Sequence, residues 1–246
     1  MSNYHLFGIQ FIDGSYKEAF YLLQNGKFMV VPSGPGLATI DVDKKYWNAL
    51  KNSDFAIPDS GFMVILYRLY FHRKIKKLSG PKFIKSFFRE EKIRKQKNIF
   101  LIDPNHSESQ INRKYLNSLE IPLDEEYQYI SPIYDKNEIS DVKLLKILEN
   151  LVHQPDFVLI NLGGGVQERL GSYLKNNLSY NPGIICTGAA ISFLTGSQVK
   201  IPNWVDGFYL GWLVRIINNP AMFIKRYIKA FRLFYVFYLD KKGKLI

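Results

Sequence analysis

The chain has 246 residues, 47% of them hydrophobic, and a single cysteine, Cys186. Such a length carries one large domain, or one domain with an appendage, and the hydrophobic share excludes a disordered chain. One cysteine excludes an internal disulfide and any multi-cysteine metal site, which suits a reducing compartment, while a net charge of +11 calls for an anionic partner.

The charge is uneven. Residues 71–98 hold eleven Lys or Arg against two Glu, and residues 211–246 hold eight against one Asp, which leaves the remainder mildly acidic. Nucleic acid, a phospholipid surface and a diphosphate all suit two basic segments on such a body. The start, Met1-Ser2-Asn3-Tyr4-His5, lacks the basic start and apolar run of a secretory signal, and no stretch offers the roughly 20 apolar residues of a spanning helix. A location inside the cell and outside the bilayer core is therefore expected.

Along the chain, residues 28–31 read as a short buried strand running into the breaker-rich turn Pro32-Ser33-Gly34-Pro35-Gly36. Helical spacing of Tyr46, Trp47 and Leu50 follows within residues 43–53. Phe55-Ala56-Ile57 reads as a second strand, which puts the carboxylate of Pro58-Asp59-Ser60-Gly61 at a strand end. Residues 62–71 are apolar and aromatic, and the first basic segment then breaks at Leu78-Ser79-Gly80-Pro81. Further buried strands are expected at 100–102 and 157–160, with helices at 110–118 and 142–152. Strands alternating with helices predict a mostly parallel, Rossmann-like α/β sheet over residues 1–200. After residue 200 the chain becomes aromatic and basic. From Phe223 onward Tyr227, Phe231, Phe234, Tyr235 and Tyr238 recur among Lys225, Arg226, Lys229 and Arg232, which predicts a basic amphipathic helix in a C-terminal appendage, 201–246.

The glycine turn after the strand at 157–160 invites a dinucleotide-binding reading. That reading needs glycine at 168, where the chain has Glu168. What remains is a turn opening a helix near Gln167, whose free backbone N–H groups suit a diphosphate and whose amide suits a sugar hydroxyl. A tight turn with no ligand explains the same glycines. Thr187 and Gly188 are small enough for a nucleotide to come close, and close packing explains them equally well. Asp41-Val42-Asp43 has the D-x-D form of metal-nucleotide sites, but it also sits at a helix start, where Asp is favoured. The four histidines, His5, His72, His106 and His153, have no spacing that suggests a metal or a triad.

Five motifs then stand in order: Gly163-Gly164-Gly165-Val166-Gln167-Glu168, Cys186-Thr187-Gly188-Ala189-Ala190, Pro202-Asn203-Trp204, Gly211-Trp212-Leu213-Val214-Arg215 and Lys225-Arg226-Tyr227. In order and spacing they resemble the C-terminal signature of the WecG/TagA/CpsF family of bacterial glycosyltransferases, G-x-P-x-Q-E, G-V-G-A-A-F, R-A-P-x-W, E-W-x-x-R and R-R-Y. The resemblance implies an inverting, metal-independent transfer of a sugar from a uridine diphosphate donor to a polyprenyl-diphosphate saccharide. The place implied is the inner face of the cell membrane, where the basic helix would meet anionic lipid.

Residue by residue, the resemblance makes Asp59, in the place of the family's P-D-G, the catalytic base; an Asp there also suits a cap on the following helix. It puts Gln167 at the donor sugar, with Gly164, Gly165 and Glu168 of the same motif around it. Ser33 and Gly34 fall where T-x-N holds the sugar, and Lys77 falls at the basic position of R-x-x-G. Arg215, Lys225 and Arg226 match cations of an appendage that reaches the diphosphate. Several positions depart from the pattern: Val166 stands for a lysine, Gly211 for a glutamate and Met222 for an arginine, and the T-x-N loop is replaced. Two rival readings are a nucleic-acid-binding protein using the basic segments and a membrane-bound scaffold that kept the fold without the activity. No nucleic-acid module is legible, so nucleic acid is not an expected partner.

Overall fold

The computed structural model describes residues 3–90, 98–135, 139–188, 190–196 and 211–245. The described strands are β1 (Asn3–Leu6), β2 (Ile9–Ile12), β3 (Phe28–Val30), β4 (Phe55–Ala56), β5 (Ile99–Asp103), β6 (Gln128–Ile130), β7 (Phe157–Ile160) and β8 (Gly183–Cys186). They form one sheet in the order β1-β2-β4-β3-β8-β7-β5-β6. Only β1 and β2 pair antiparallel; every other neighbouring pair is parallel. The expected mostly parallel α/β sheet is the fold observed. β7, β8 and β5 up to its closing Asp103 are apolar runs, and all three strands are buried at every position, as strands covered on both faces by helices must be.

Nine described helices accompany the strands: α1 (Tyr16–Gln24), α2 (Gly34–Leu37), α3 (Lys44–Lys51), α4 (Gly61–Phe71), α5 (Gly80–Arg89), α6 (His106–Ser118), α7 (Val142–Asn150), α8 (Val166–Asn177) and α9 (Ala190–Thr195). Helix α8 lies unusually close to the sheet because position 171 is glycine: a Cβ there would stand 2.6 Å from the Phe28 ring. That approach brings the start of α8 against β8, where the Cys186 thiol donates to the Gln167 carbonyl at 3.2 Å.

The N-terminal hairpin turns through Phe7 and Gly8, both at positive φ (59° and 70°), as a two-residue hairpin turn requires. A bulky residue is uncommon there. Phe7 holds the position because its ring is buried against Phe237, with centroids 4.9 Å apart, and its carbonyl accepts the Trp47 indole N–H at 2.7 Å.

Phe237 belongs to the C-terminal part, which the structure resolves differently from the expectation. The basic amphipathic segment from Phe223 is two helices rather than one: α10 (Gly211–Asn218) is followed by α11 (Pro220–Ala230) and α12 (Leu233–Lys241). Leu233, Val236 and Phe237 of α12 are buried with the core of the sheet body. Arg232, between α11 and α12, donates to Asp41 Oδ2 at 2.5 Å and ties the break to the body. The aromatic repeat thus serves two faces, one packed inward and one left outside. The boundary expected at 200–201 lies outside the described residues.

Because the strands from β2 onward run the same way, their C-terminal ends share one edge. The loops after β3, β4, β5, β7 and β8 gather there, the usual ligand position of an open α/β sheet.

Candidate active site

At this edge lies a cavity of about 600 Å³, a size typical of small-molecule sites. Its wall takes Ser33 from the loop after β3, Asp59 from the loop after β4, Asn161 with Gly163, Gly164 and Gly165 after β7, and Thr187 with Gly188 after β8. Gln167 and Glu168 of α8 and Tyr46 of α3 contribute side chains, and α11 brings Arg226 and Lys229.

Asp59 does not cap the helix that follows it. Ser60 is the N-cap of α4, accepting the Met63 N–H at 3.2 Å. Asp59 Oδ1 accepts instead the N–H of Gly80 at the start of α5, at 2.9 Å. The other carboxylate oxygen takes no partner among the described residues, and the side chain stands half-buried on the cavity wall. One oxygen is held by the fold and the other is left for a ligand.

Gln167 is 3% exposed and Glu168 1%. Gln167 Oε1 accepts the Gly188 N–H at 2.6 Å, and its Nε2 donates to Glu168 Oε1 at 2.9 Å. Glu168 Oε2 accepts the Gly165 N–H at 2.6 Å. Burial pushes the Glu168 carboxyl above its usual range, against the pull of those N–H donors. The pair therefore fastens the turn after β7 to the turn after β8, each of which holds a glycine at positive φ, 89° at Gly165 and 61° at Gly188.

This network corrects one expectation. The N–H groups that open α8 are not free, since Gly165 donates to Glu168 while Val166 and Gln167 both donate to the Gly163 carbonyl at 3.2 Å. The N–H groups of Gly163 and Gly164 are the ones without a partner among the described residues, and a Cβ at either position would meet nothing within 4 Å. The turn offers an anion its two leading glycines rather than the helix start.

The other expected residues divide. Ser33 is on the wall, its Oγ accepting the Gly36 N–H at 3.2 Å as cap of α2. Gly34 is buried off the wall, where a Cβ would stand 2.7 Å from Ser60 Oγ, so it lets two loops meet. Lys77 and Lys225 are off the wall as well, although the Lys77 loop is tied to the Asp59 loop through Leu78 N–H to Pro58 O at 3.0 Å. Arg226 lines the cavity. The side chain of Arg215, together with Ala189 and Pro202-Asn203-Trp204, lies outside the described residues.

Asp41 and Asp43 are each taken by an arginine. Arg232 binds Asp41, and Arg169 reaches both Asp43 oxygens at 2.6 and 2.5 Å while Asp43 caps α3 through Tyr46 N–H at 3.0 Å. Among the described residues no three His, Cys, Asp or Glu side chains converge, and no helix is long and apolar enough to cross a membrane.

Tyr46, Lys229, Asn161 and Glu108 are among the wall residues that sequence reasoning did not single out as site residues. Tyr46 reads as a core residue from its spacing, and it is buried; burial together with the nearby Glu168 and Asp43 carboxylates holds its phenol well above the ordinary value. Lys229 follows Arg226 by three positions, one turn along the same helix face, a signal available in the sequence. Asn161 is a polar residue immediately after an apolar strand, and Glu108 stands in the first turn of α6.

A family profile described as the Glycosyl transferase WecG/TagA/CpsF family matches residues 4–245. The chain is also 25% identical, over 214 residues covering 85% of this chain and 78% of the relative, to an N-acetylglucosaminyldiphosphoundecaprenol N-acetyl-beta-D-mannosaminyltransferase of Bacillus subtilis (strain 168). With a match running from the first strand to the last helix, around a cavity where the signature residues Asp59, Gly164 and Gln167 meet, the chain belongs to the WecG/TagA/CpsF family of glycosyltransferases.

Proposed function

We propose that the protein transfers a hexose or N-acetylhexosamine-type sugar, with inversion, from a uridine diphosphate donor to a saccharide carried on a polyprenyl diphosphate, in the synthesis of a cell-surface polysaccharide. The observation that carries this reading is Asp59, fixed through one oxygen and open at the other, on the same cavity wall as the unpartnered N–H groups of Gly163 and Gly164. The B. subtilis relative supports the acceptor class and the kind of sugar, since its name states a polyprenyl-diphosphate acceptor and transfer of an N-acetyl-β-D-mannosaminyl group. Sugar nucleotides of D-hexoses are α at the anomeric carbon, so a β product means inversion.

In this reading Asp59 accepts the proton of the acceptor hydroxyl as that oxygen attacks the anomeric carbon. The bond from the anomeric carbon to the diphosphate oxygen breaks on the opposite face, and uridine diphosphate leaves with the electron pair. Arg226 and Lys229, with the Gly163 and Gly164 N–H groups, face the charge that develops there. The proposed step needs no metal: Arg232 and Arg169 engage Asp41 and Asp43, and Arg226 and Lys229 supply positive charge at the cavity wall. The exposed lysines and aromatic side chains of α11 and α12 would hold the enzyme against anionic lipid at the inner membrane face, where the acceptor lies.

The test is transfer from a panel of uridine diphosphate sugars, N-acetylmannosamine, N-acetylglucosamine and glucose derivatives, to a short polyprenyl-diphosphate N-acetylglucosamine. Release of uridine diphosphate with one donor, coupled to product, is expected. Failure of every donor either to bind or to react would overturn the assignment.

A further inference from the structure

Asp103 closes β5 with its side chain fully buried, and Asn161, 5% exposed, stands beside it one residue past β7. The register Ile102 to Ile160 makes the two neighbours on parallel strands, and the Asn161 N–H continues the ladder to the Ile102 carbonyl at 2.9 Å. Asp103 Oδ1 accepts two amide N–H groups at 2.8 Å each, from Asn161 and from Asn112 of α6. A carboxylate only accepts, so both asparagines must turn their NH₂ ends toward it. For Asn161, which lines the cavity, this fixes the amide and leaves its carbonyl oxygen free to accept from a ligand.

The position of that oxygen indicates what it meets. Asp59 follows β4 and Asn161 follows β7, three strand spacings away through β3 and β8, about 14 Å. A sugar with its anomeric carbon at Asp59 and a diphosphate beside Gly163 and Gly164 brings the nucleoside to Asn161. The wall there adds the Glu108 carboxylate. Two acceptors on this part of the wall, the Asn161 carbonyl and the Glu108 carboxylate, suit groups that donate hydrogen bonds.

We infer that Asn161, held in one orientation by Asp103, determines nucleoside specificity by accepting a hydrogen bond from the donor nucleotide, with Asp103 as its positioning residue. The inference rests on the uridine diphosphate reading above and adds the residue that recognises the nucleoside. The donating group is either a ribose hydroxyl or the N3–H of the base, and ligand analogues distinguish the two.

The experiment measures uridine diphosphate binding calorimetrically against the 2′-deoxy, 3′-deoxy and N3-methyl analogues, in the wild-type protein and in Asn161→Ala. One analogue is expected to bind the wild type roughly tenfold more weakly than uridine diphosphate, and that difference should vanish in Asn161→Ala. Asp103→Asn, whose own Oδ1 can still accept both amides, should keep the discrimination, and Asp103→Ala should lose it. If Asp103→Ala does not fold, Asn161→Ala carries the test alone. Equal discrimination in wild type and Asn161→Ala overturns the inference. Absence of any uridine diphosphate binding by the wild type overturns the donor assignment as well, so the two failures are distinct.

Discussion

Asp59 and Gly80, 21 residues apart in sequence, meet through the Gly80 N–H donated to Asp59 Oδ1 at 2.9 Å. The bond joins the loop after β4 to the start of α5 and holds the carboxylate at the cavity wall. An Asn at 59 can make the same bond through its own Oδ1 while losing the ability to take a proton. Asp59→Asn should therefore melt within about 1 °C of wild type and lose on the order of a hundredfold or more in kcat. A transfer assay beside a thermal melt checks both halves. Normal turnover in a folded variant rules Asp59 out as the base.

Gly164 and Gly165 are adjacent in sequence but do different work. Gly165 sits at φ 89°, where a side chain is strained, whereas a Cβ at Gly164 would enter the open cavity. Gly165→Ala should destabilise the fold by about 1 kcal/mol or more. Gly164→Ala should melt like wild type and raise the donor KM by roughly tenfold, because the methyl occupies ligand space. Unchanged KM in Gly164→Ala would remove this turn from the donor site.

The contrast between those two glycines shows how far the sequence could be read. Buried strands such as Phe157–Ile160, and the loops that end them, were legible because apolar runs between breakers have one reading in an alternating α/β chain. The placing of Asp59 and Gln167 at one site came from the family resemblance, not from the strand pattern, and both residues line the same cavity. The state of individual hydrogen-bonding groups was not legible: the glycine motif suggested a free helix start, and only the fold shows Glu168 and the Gly163 carbonyl consuming those N–H groups. The strands β1, β2 and β6 were too short and mixed in polarity to stand out. Asn161 was missed because one polar residue after a strand carries no periodic signal.

The C-terminal helices invite truncation, yet Leu233, Val236 and Phe237 pack into the body, so removing residues 223–246 would expose core and report on folding. The outer face is separable. Ile224, Ile228, Tyr235 and Tyr238 are 43–63% exposed. Replacing these four with Ser should leave the melt unchanged and weaken sedimentation with phosphatidylglycerol vesicles by roughly tenfold or more, since each apolar side chain drawn into the headgroups contributes on the order of 1 kcal/mol. Sedimentation equal to wild type would argue against lipid as the partner of this surface.

Asp103 gives a prediction in pH. Its carboxyl is fully buried, Oδ2 has no hydrogen-bond partner among the described residues, and burial raises its pKa against the pull of the Asn161 and Asn112 amides. A raised pKa in the folded state means that the native protein holds this proton more tightly than the unfolded chain. Stability from this group is then complete below the unfolded pKa and is lost as pH rises through the folded pKa, above which the penalty is constant. Asp103→Asn keeps the shape and removes the charge. It should match wild-type stability in acid and exceed it at neutral pH by on the order of 1 kcal/mol, roughly 2–4 °C in Tm for a chain of this size. Glu168, whose carboxyl is raised in the same direction, is present in both proteins and cancels in the difference. A difference between the two melts that stays flat from pH 4 to pH 8 would show that Asp103 carries no such penalty, and that its two asparagine partners already meet the full demand of the buried charge.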